Sequence, residues 1–211
     1  KHSLTTMGLT SILASSSCVL HNHYVKLDYN REAVTEPFSH NCYQINVGEF
    51  ENKNGQLIGC MRGLDGWKSA KVISTNNLEI WLRQAIIKEL KRAGCEIIAD
   101  GEPEIRGSLD VLFTDTVGRY VTNFQITLDL WNGNTKLYSN HVIGQKIYPP
   151  TLGIAKEYID TYNKALEEAL KETIPDIMRE LETFYNPSKK SKSQPKDLQG
   201  NGLLADFQRK K

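Results

Sequence analysis

The sequence predicts an α+β domain of two layers: a mostly antiparallel sheet with a three-strand meander, packed by two helices. Three observations carry the prediction. Residues 76–94 and 152–185 repeat apolar side chains at helical spacing. Alternating apolar and polar runs lie between these stretches, and one more precedes the first. Asn132-Gly133 separates two such runs, which is a strong signal for a tight antiparallel hairpin.

Taken in order, "CYQINVGEF" alternates Tyr43, Ile45 and Val47 against polar neighbours, with Phe50 closing a strand that rests one face on a core. "ENKNGQLIGCMRGLDGW" follows, glycine-rich and turn-like, with room for a short strand at Gln56 to Met61. The first helix places Leu78, Trp81, Leu82, Ala85, Ile86, Leu90 and Ala93 on one stripe. Asn76 with Glu79 three residues on reads as its capping box, and Gly94 as its left-handed stop. "CEIIA" is a short strand. "EIRGSLDVLFTD" is expected to turn Ile105, Gly107, Leu109, Val111 and Phe113 to one face. "VTNFQITLDLW" and "TKLYSNHVIGQ" complete the meander around Asn132-Gly133, with one face wet. The last helix spans about 152–185, and Pro175 is expected to kink or split it.

This gives four segments: a signal-peptide-like stretch at 1–17, a tether at 18–40, the α+β domain at 41–185 and a disordered basic tail at 186–211. The tail has seven Lys or Arg against Asp197 and Asp206, and too little apolar content to offset chain entropy. It reads as a solubilising tail, with contact to anionic headgroups as the alternative.

Composition narrows the function classes. With 39% apolar and 24% charged residues and a net charge of +1, the near-neutral total gives no reason to expect a nucleic-acid binder, although it hides the basic asymmetry of the tail. No run reaches the roughly 20 apolar residues of a membrane-spanning helix. The N-terminus is the targeting candidate: Lys1 and His2 begin it, an apolar stretch from Met7 to Ala14 follows, and small residues lead to Cys18. Ser15 and Ser17 suit ordinary signal peptidase, while small residues before a cysteine suit a lipoprotein signal that acylates Cys18.

The remaining cysteines, Cys42, Cys60 and Cys95, form no Cys-x-x-Cys pair, so neither a structural zinc site nor a thioredoxin-like centre is expected. In an oxidising compartment one bridge among the three is an option; packing as buried free thiols is the other. "GCMRGLDGWKS" fails as a phosphate loop because Trp67, not Gly, precedes Lys68-Ser69. No Gly-x-Ser-x-Gly elbow occurs. His141 reads as a half-buried strand histidine, and Asp110, Asp115 and Asp129 as carboxylates on solvated strand faces. Tyr158, Tyr162, Tyr185 and Trp81 are expected to pack on the sheet. The chain therefore offers no catalytic residue, metal or cofactor site to name.

The order of segments carries a texture: "EFENK", "ELKRAGCEI", "EIRGSLDVLFTD", the hairpin "FQITLDLWNGNTKLYSNHVIG" and "YNKALEEALKETIPDIMREL". It resembles the YajG-like family of uncharacterised bacterial lipoproteins over most of 42–185, with Cys18 at the expected place. Ser15 stands where a lipobox usually has Leu, and the tail after Asn186 is not part of the pattern. The resemblance implies a protein anchored through its N-terminal cysteine at the periplasmic face of the outer membrane, with no known enzymatic activity. The expected function is a membrane-tethered binding or accessory protein with a partner in the envelope. The alternatives are a soluble periplasmic form, a subunit of a transport or secretion complex, or a small enzyme with an unrecognised site. The glycine-rich loop at 54–66 and the exposed faces of the meander are the expected contact regions.

Overall fold

The computed structural model describes residues 22–34, 36–38, 42–62, 68–116, 120–148 and 155–187. Eight strands and two helices follow in the order β1 (His23–Val25), β2 (Tyr43–Asn52), β3 (Leu57–Arg62), β4 (Lys68–Ser74), α1 (Leu78–Arg92), β5 (Cys95–Ile98), β6 (Glu104–Thr116), β7 (Tyr120–Asn132), β8 (Thr135–Tyr148) and α2 (Ala155–Tyr185). The fold is α+β, with two helices against one curled sheet.

The sheet is mixed, which corrects the expectation of a mostly antiparallel one. β6 is long enough to take β7 along one edge and share the other edge between β2 and β3. The sheet therefore forks: β5 pairs β2 on one branch, and β4 then β1 follow β3 on the other. The pairings β1/β4, β2/β5, β2/β6 and β3/β6 are parallel. Only β3/β4, β6/β7 and β7/β8 are antiparallel. In the pairs of β2 and β3 with β5 and β6, α1 lies within the connection that crosses back over the sheet, whereas β1 reaches β4 through β2 and β3.

Two bulges redirect side chains that strict alternation would misplace. On β6 the register slips between Leu109 and Val111, so Asp110 is the extra residue. Beyond it Leu112 and Thr114 are fully buried, whereas Val111 and Phe113, expected in the core, are only partly covered. On β2 the slip falls between Val47 and Phe50, which sends Glu49 outward and buries Phe50. The hairpin is also displaced by one residue. Asn132 pairs with Thr135, so the loop is Gly133-Asn134, with positive φ only at Gly133, the requirement of a type II′ turn.

The stretch from 22 to 34, expected to act as a tether, belongs to the fold. β1 pairs with β4, and Leu27, Tyr29, Ala33 and Val34 are buried in the common core. The backbone between them is held by side chains from both helices. Asn163 donates to the Asp28 carbonyl (2.8 Å), Lys88 to that of Tyr29 (3.2 Å) and Arg92 to that of Arg31 (2.8 Å). Asn76, expected to cap α1, instead accepts from the Leu27 amide (2.9 Å) and donates to the Leu27 carbonyl (3.1 Å), as a strand neighbour would. The residue at the helix N-cap is Asn77, and its side chain makes no capping bond.

Helix α2 continues unbroken through Pro175. Ile174, Ile177, Met178 and Leu181 are buried on either side of the proline, and this packing keeps the helix on the sheet despite the missing donor. Trp81, Tyr158 and Tyr162 are buried under the helices as expected, while Tyr185 is partly exposed and stacks on Tyr43 at 5.4 Å between centroids.

Candidate functional site

The face of the sheet turned away from the helices gathers polar side chains that are far apart in sequence. The register sets Ser108 beside Thr127 and Thr127 beside His141, across β6, β7 and β8. The β6 bulge then brings Asp110 into the same row. Asp110 accepts hydrogen bonds from Ser108 (2.8 Å) and Thr127 (2.8 Å), and pairs with Lys53 (3.1 Å). Burial acts to raise its carboxyl, but these hydrogen bonds and the lysine charge outweigh that and hold it below the usual aspartate range. The hydrogen bond to Asp110 likewise holds the Lys53 ammonium above its ordinary value.

His141 reaches this cluster through Thr127, with Nδ1 3.0 Å from the hydroxyl oxygen. Thr127 gives its single proton to Asp110, so Nδ1 of His141 must be the donor in this contact. Nε2 is then the acceptor of the neutral ring, on a side chain that is 49% exposed. The constellation contains Ser, His and Asp but is no nucleophile triad. Ser108 donates to Asp110, and its hydroxyl has no hydrogen bond to His141. Asp110 and His141 converge, contrary to the expectation of independent solvated carboxylates. Asp129 binds Ser139 (2.6 Å) and Lys136 (2.8 Å), and Asp115 accepts from the Cys60 thiol (3.4 Å). Beside Asp129, Trp131 lies between the charged ends of Arg106 and Lys136, 5.6 and 5.0 Å from its ring centre.

A cavity of about 700 Å³ opens at the β2 bulge, between α1 and the start of β6. Glu49, Glu79, Asp100 and Glu104 contribute carboxylates to its lining, and Ile80 an exposed apolar side chain. Arg83 crosses the bulge, donating from Nη2 to the Val47 carbonyl (2.6 Å) and from Nε to that of Gly48 (2.9 Å). This places a cation where the bulge has freed two carbonyls from the ladder. The Glu104 carboxylate lies directly over Gly48, where a Cβ would require that flexible side chain to move aside. The cleft is polar, open and predominantly acidic. Sequence reading missed it because only the bulge brings Glu49, Arg83 and Glu104 together.

Among the described residues no group of three His, Cys, Asp or Glu side chains is arranged to hold a metal ion. Cys42 is exposed, and Cys60 and Cys95 are buried as free thiols, the latter 3.3 Å from the Met178 sulfur. Burial, with a smaller contribution from Cys42 nearby, pushes the Cys95 thiol up to about 12. Cys18 and the basic tail from 188 onward lie outside the described residues, as do 63–66 of the glycine-rich loop.

No family model matches the chain, and no curated protein does. Among solved structures the fold is similar to that of protein XCC0632 from Xanthomonas campestris, of the DUF330 family. The TM-score is 0.53 at 11% identity, covering 80% of this chain and 97% of that one. An uncharacterised protein follows at TM-score 0.45 and 7% identity, covering 74% of this chain and 99% of its own. A protein described as a neuraminyllactose-binding hemagglutinin homolog from Helicobacter pylori stands at TM-score 0.39 and 8% identity, covering 79% and 100%. The chain thus shares its fold with an uncharacterised bacterial family across nearly the whole of that family member's length.

Proposed function

We propose that this chain is a YajG-like envelope protein, tethered through acylated Cys18 and acting by binding rather than by turnover. The observation that carries the reading is the contrast between a self-satisfied polar cluster and an open acidic cleft. The Asp110 cluster is closed on itself by hydrogen bonds and offers no activated nucleophile, while the cleft at the β2 bulge is broad and acidic. Such a cleft suits docking of a basic, polar segment of an envelope partner. Likeness to a DUF330 protein supports the fold assignment on which the family reading rests. The two acyl chains of a lipoprotein cysteine suffice for stable anchoring.

Metabolic labelling with palmitate in a bacterial host tests the anchor. Wild type is expected to take up label and Cys18→Ser to take up none, and mass spectrometry is expected to find the mature N-terminus at Cys18. Absence of label in both would overturn the anchor. Cross-linking followed by purification from detergent-solubilised membranes tests the partner, with Glu79→Lys and Glu104→Lys expected to lose it.

A further inference from the structure

We propose that Tyr24, Ile73 and Leu57 form a membrane-contact surface that seats the domain on the bilayer; the inference rests on the anchored reading of Cys18. The register pairs Tyr24 with Ile73 and Ile73 with Leu57, so the three side chains stand abreast across β1, β4 and β3. Their neighbours Val25, Val72 and Ile58 turn inward and are buried. Tyr24 is 64% and Leu57 43% exposed, with Ile73 half-buried between them, an apolar row at the edge of the sheet.

Two lysines flank the row. By strand alternation Lys26 follows Tyr24 and Lys71 precedes Ile73 on the same face, and both are exposed. Tyrosine and lysine are the side chains that settle at headgroup depth, the ring at the apolar boundary and the ammonium among anionic phosphates. Three side chains alone would bind a membrane weakly, so the surface needs an anchor to raise its local concentration.

The chain supplies one at this corner. The Lys71 amide donates to the Asn22 side chain (3.1 Å), which fixes where the N-terminal segment leaves the fold. Cys18 lies four residues before Asn22, a reach of at most about 14 Å. A lipid on Cys18 therefore brings the β1/β4/β3 corner to the headgroups first. Ile143 and Ile147, also exposed, sit on β8, at the tip of the separate β6/β7/β8 branch of the sheet.

The test uses the full chain with Cys42→Ser, coupled through Cys18 to a maleimide phospholipid in phosphatidylethanolamine–phosphatidylglycerol vesicles. This fixes the anchor chemically and makes the result independent of natural acylation. Hydrogen–deuterium exchange is expected to slow at 22–26, 56–58 and 71–75 relative to the uncoupled chain. The slowing is expected to disappear in Tyr24→Ser/Leu57→Ser, whose fold is checked by circular dichroism. Unchanged exchange at this corner, or slowing that survives the double substitution, would overturn the proposal. So would slowing produced by raising the concentration of uncoupled chain without vesicles, which marks self-association. Failure of palmitate labelling in cells overturns the anchored reading instead, and leaves the vesicle result to be judged separately.

Discussion

The fully buried carboxylate of Glu89 accepts a hydrogen bond from the backbone amide of Val34 at 2.8 Å, joining α1 to a chain segment 55 residues earlier. Its other oxygen takes Arg92 at 2.7 Å, and Arg92 in turn holds the Arg31 carbonyl. One acidic side chain thus converts an irregular N-terminal stretch into a fixed layer over both helices.

Removing it leaves a buried amide without an acceptor and a guanidinium without its closest anion. Glu89→Ala is expected to cost about 3 to 5 kcal/mol in urea unfolding, the range for breaking a buried charge pair. Glu89→Gln keeps a carbonyl for Val34 and is expected to cost less. Hydrogen exchange at 27–34 is expected to rise in both variants before the rest of the core opens.

The Tyr162 hydroxyl, fully buried, donates to the Ile58 carbonyl at 2.5 Å. Beside it, a Cβ on Gly59 would lie 2.7 Å from the Thr114 carbonyl oxygen and 3.0 Å from that hydroxyl. The glycine is therefore required by close approach of β3 to β6 and α2. Tyr162→Phe is expected to lose about 1 to 3 kcal/mol from the unpaired carbonyl. Gly59→Ala, which must push backbone apart, is expected to lose a comparable amount or more. Denaturant midpoints with unchanged slopes are the check.

The three thiols of the domain differ in access. In a Cys18→Ser background Cys42 is expected to react with Ellman's reagent within the mixing time, while Cys60 and Cys95 wait for denaturant. The upward push on the Cys95 thiol adds to its inertness at neutral pH. Adding Cys42→Ser is expected to silence the native protein. In the chain that keeps Cys42, a mass two hydrogen atoms short of the reduced chain would instead reveal a bridge among the three.

Legibility in the sequence followed periodicity and failed at its interruptions. The stripe of Leu78, Trp81, Leu82, Ala85, Ile86 and Leu90 predicts α1, and those residues are its buried face. The β6 alternation reads correctly as far as Leu109 and then fails, because a bulge is one extra residue that leaves no compositional mark. The parallel pairings were hidden for a different reason: local pattern marks a strand and says nothing about its neighbour's direction. The packed stretch at 22–34 was hidden because its backbone is held by Asn76, Glu89 and Asn163, residues that look like ordinary surface letters, and β4 because its partners β1 and β3 lie in segments without a clear strand pattern. The Asp110 cluster was half visible. Asp110 and His141 could be singled out, but Lys53, Ser108 and Thr127 become its partners only through the forked sheet and its bulge.

That cluster sets a pH dependence whose sign is fixed by its hydrogen bonds. The Asp110 carboxyl is held below its ordinary value of about 3.8 in the folded chain, so the folded state prefers the ionised form. Its contribution is fully present above the unfolded-state value and is lost as pH falls through the lower folded one. Lys53 runs the opposite way. Held above its ordinary 10.5, it contributes fully below that pH and loses its contribution as pH rises through the folded value. Asp110→Asn removes the first dependence and weakens the second, because Asp110 is the main partner of Lys53 while Glu51 and Asp129 also favour its charge. Stability measured by urea midpoint is expected to fall less steeply from pH 5 to pH 2 in Asp110→Asn than in wild type, with the variant less stable at pH 7. Parallel curves for the two proteins would show that Asp110 titrates alike in the folded and unfolded chains, and that its contacts with Ser108, Thr127 and Lys53 do not favour the ionised form.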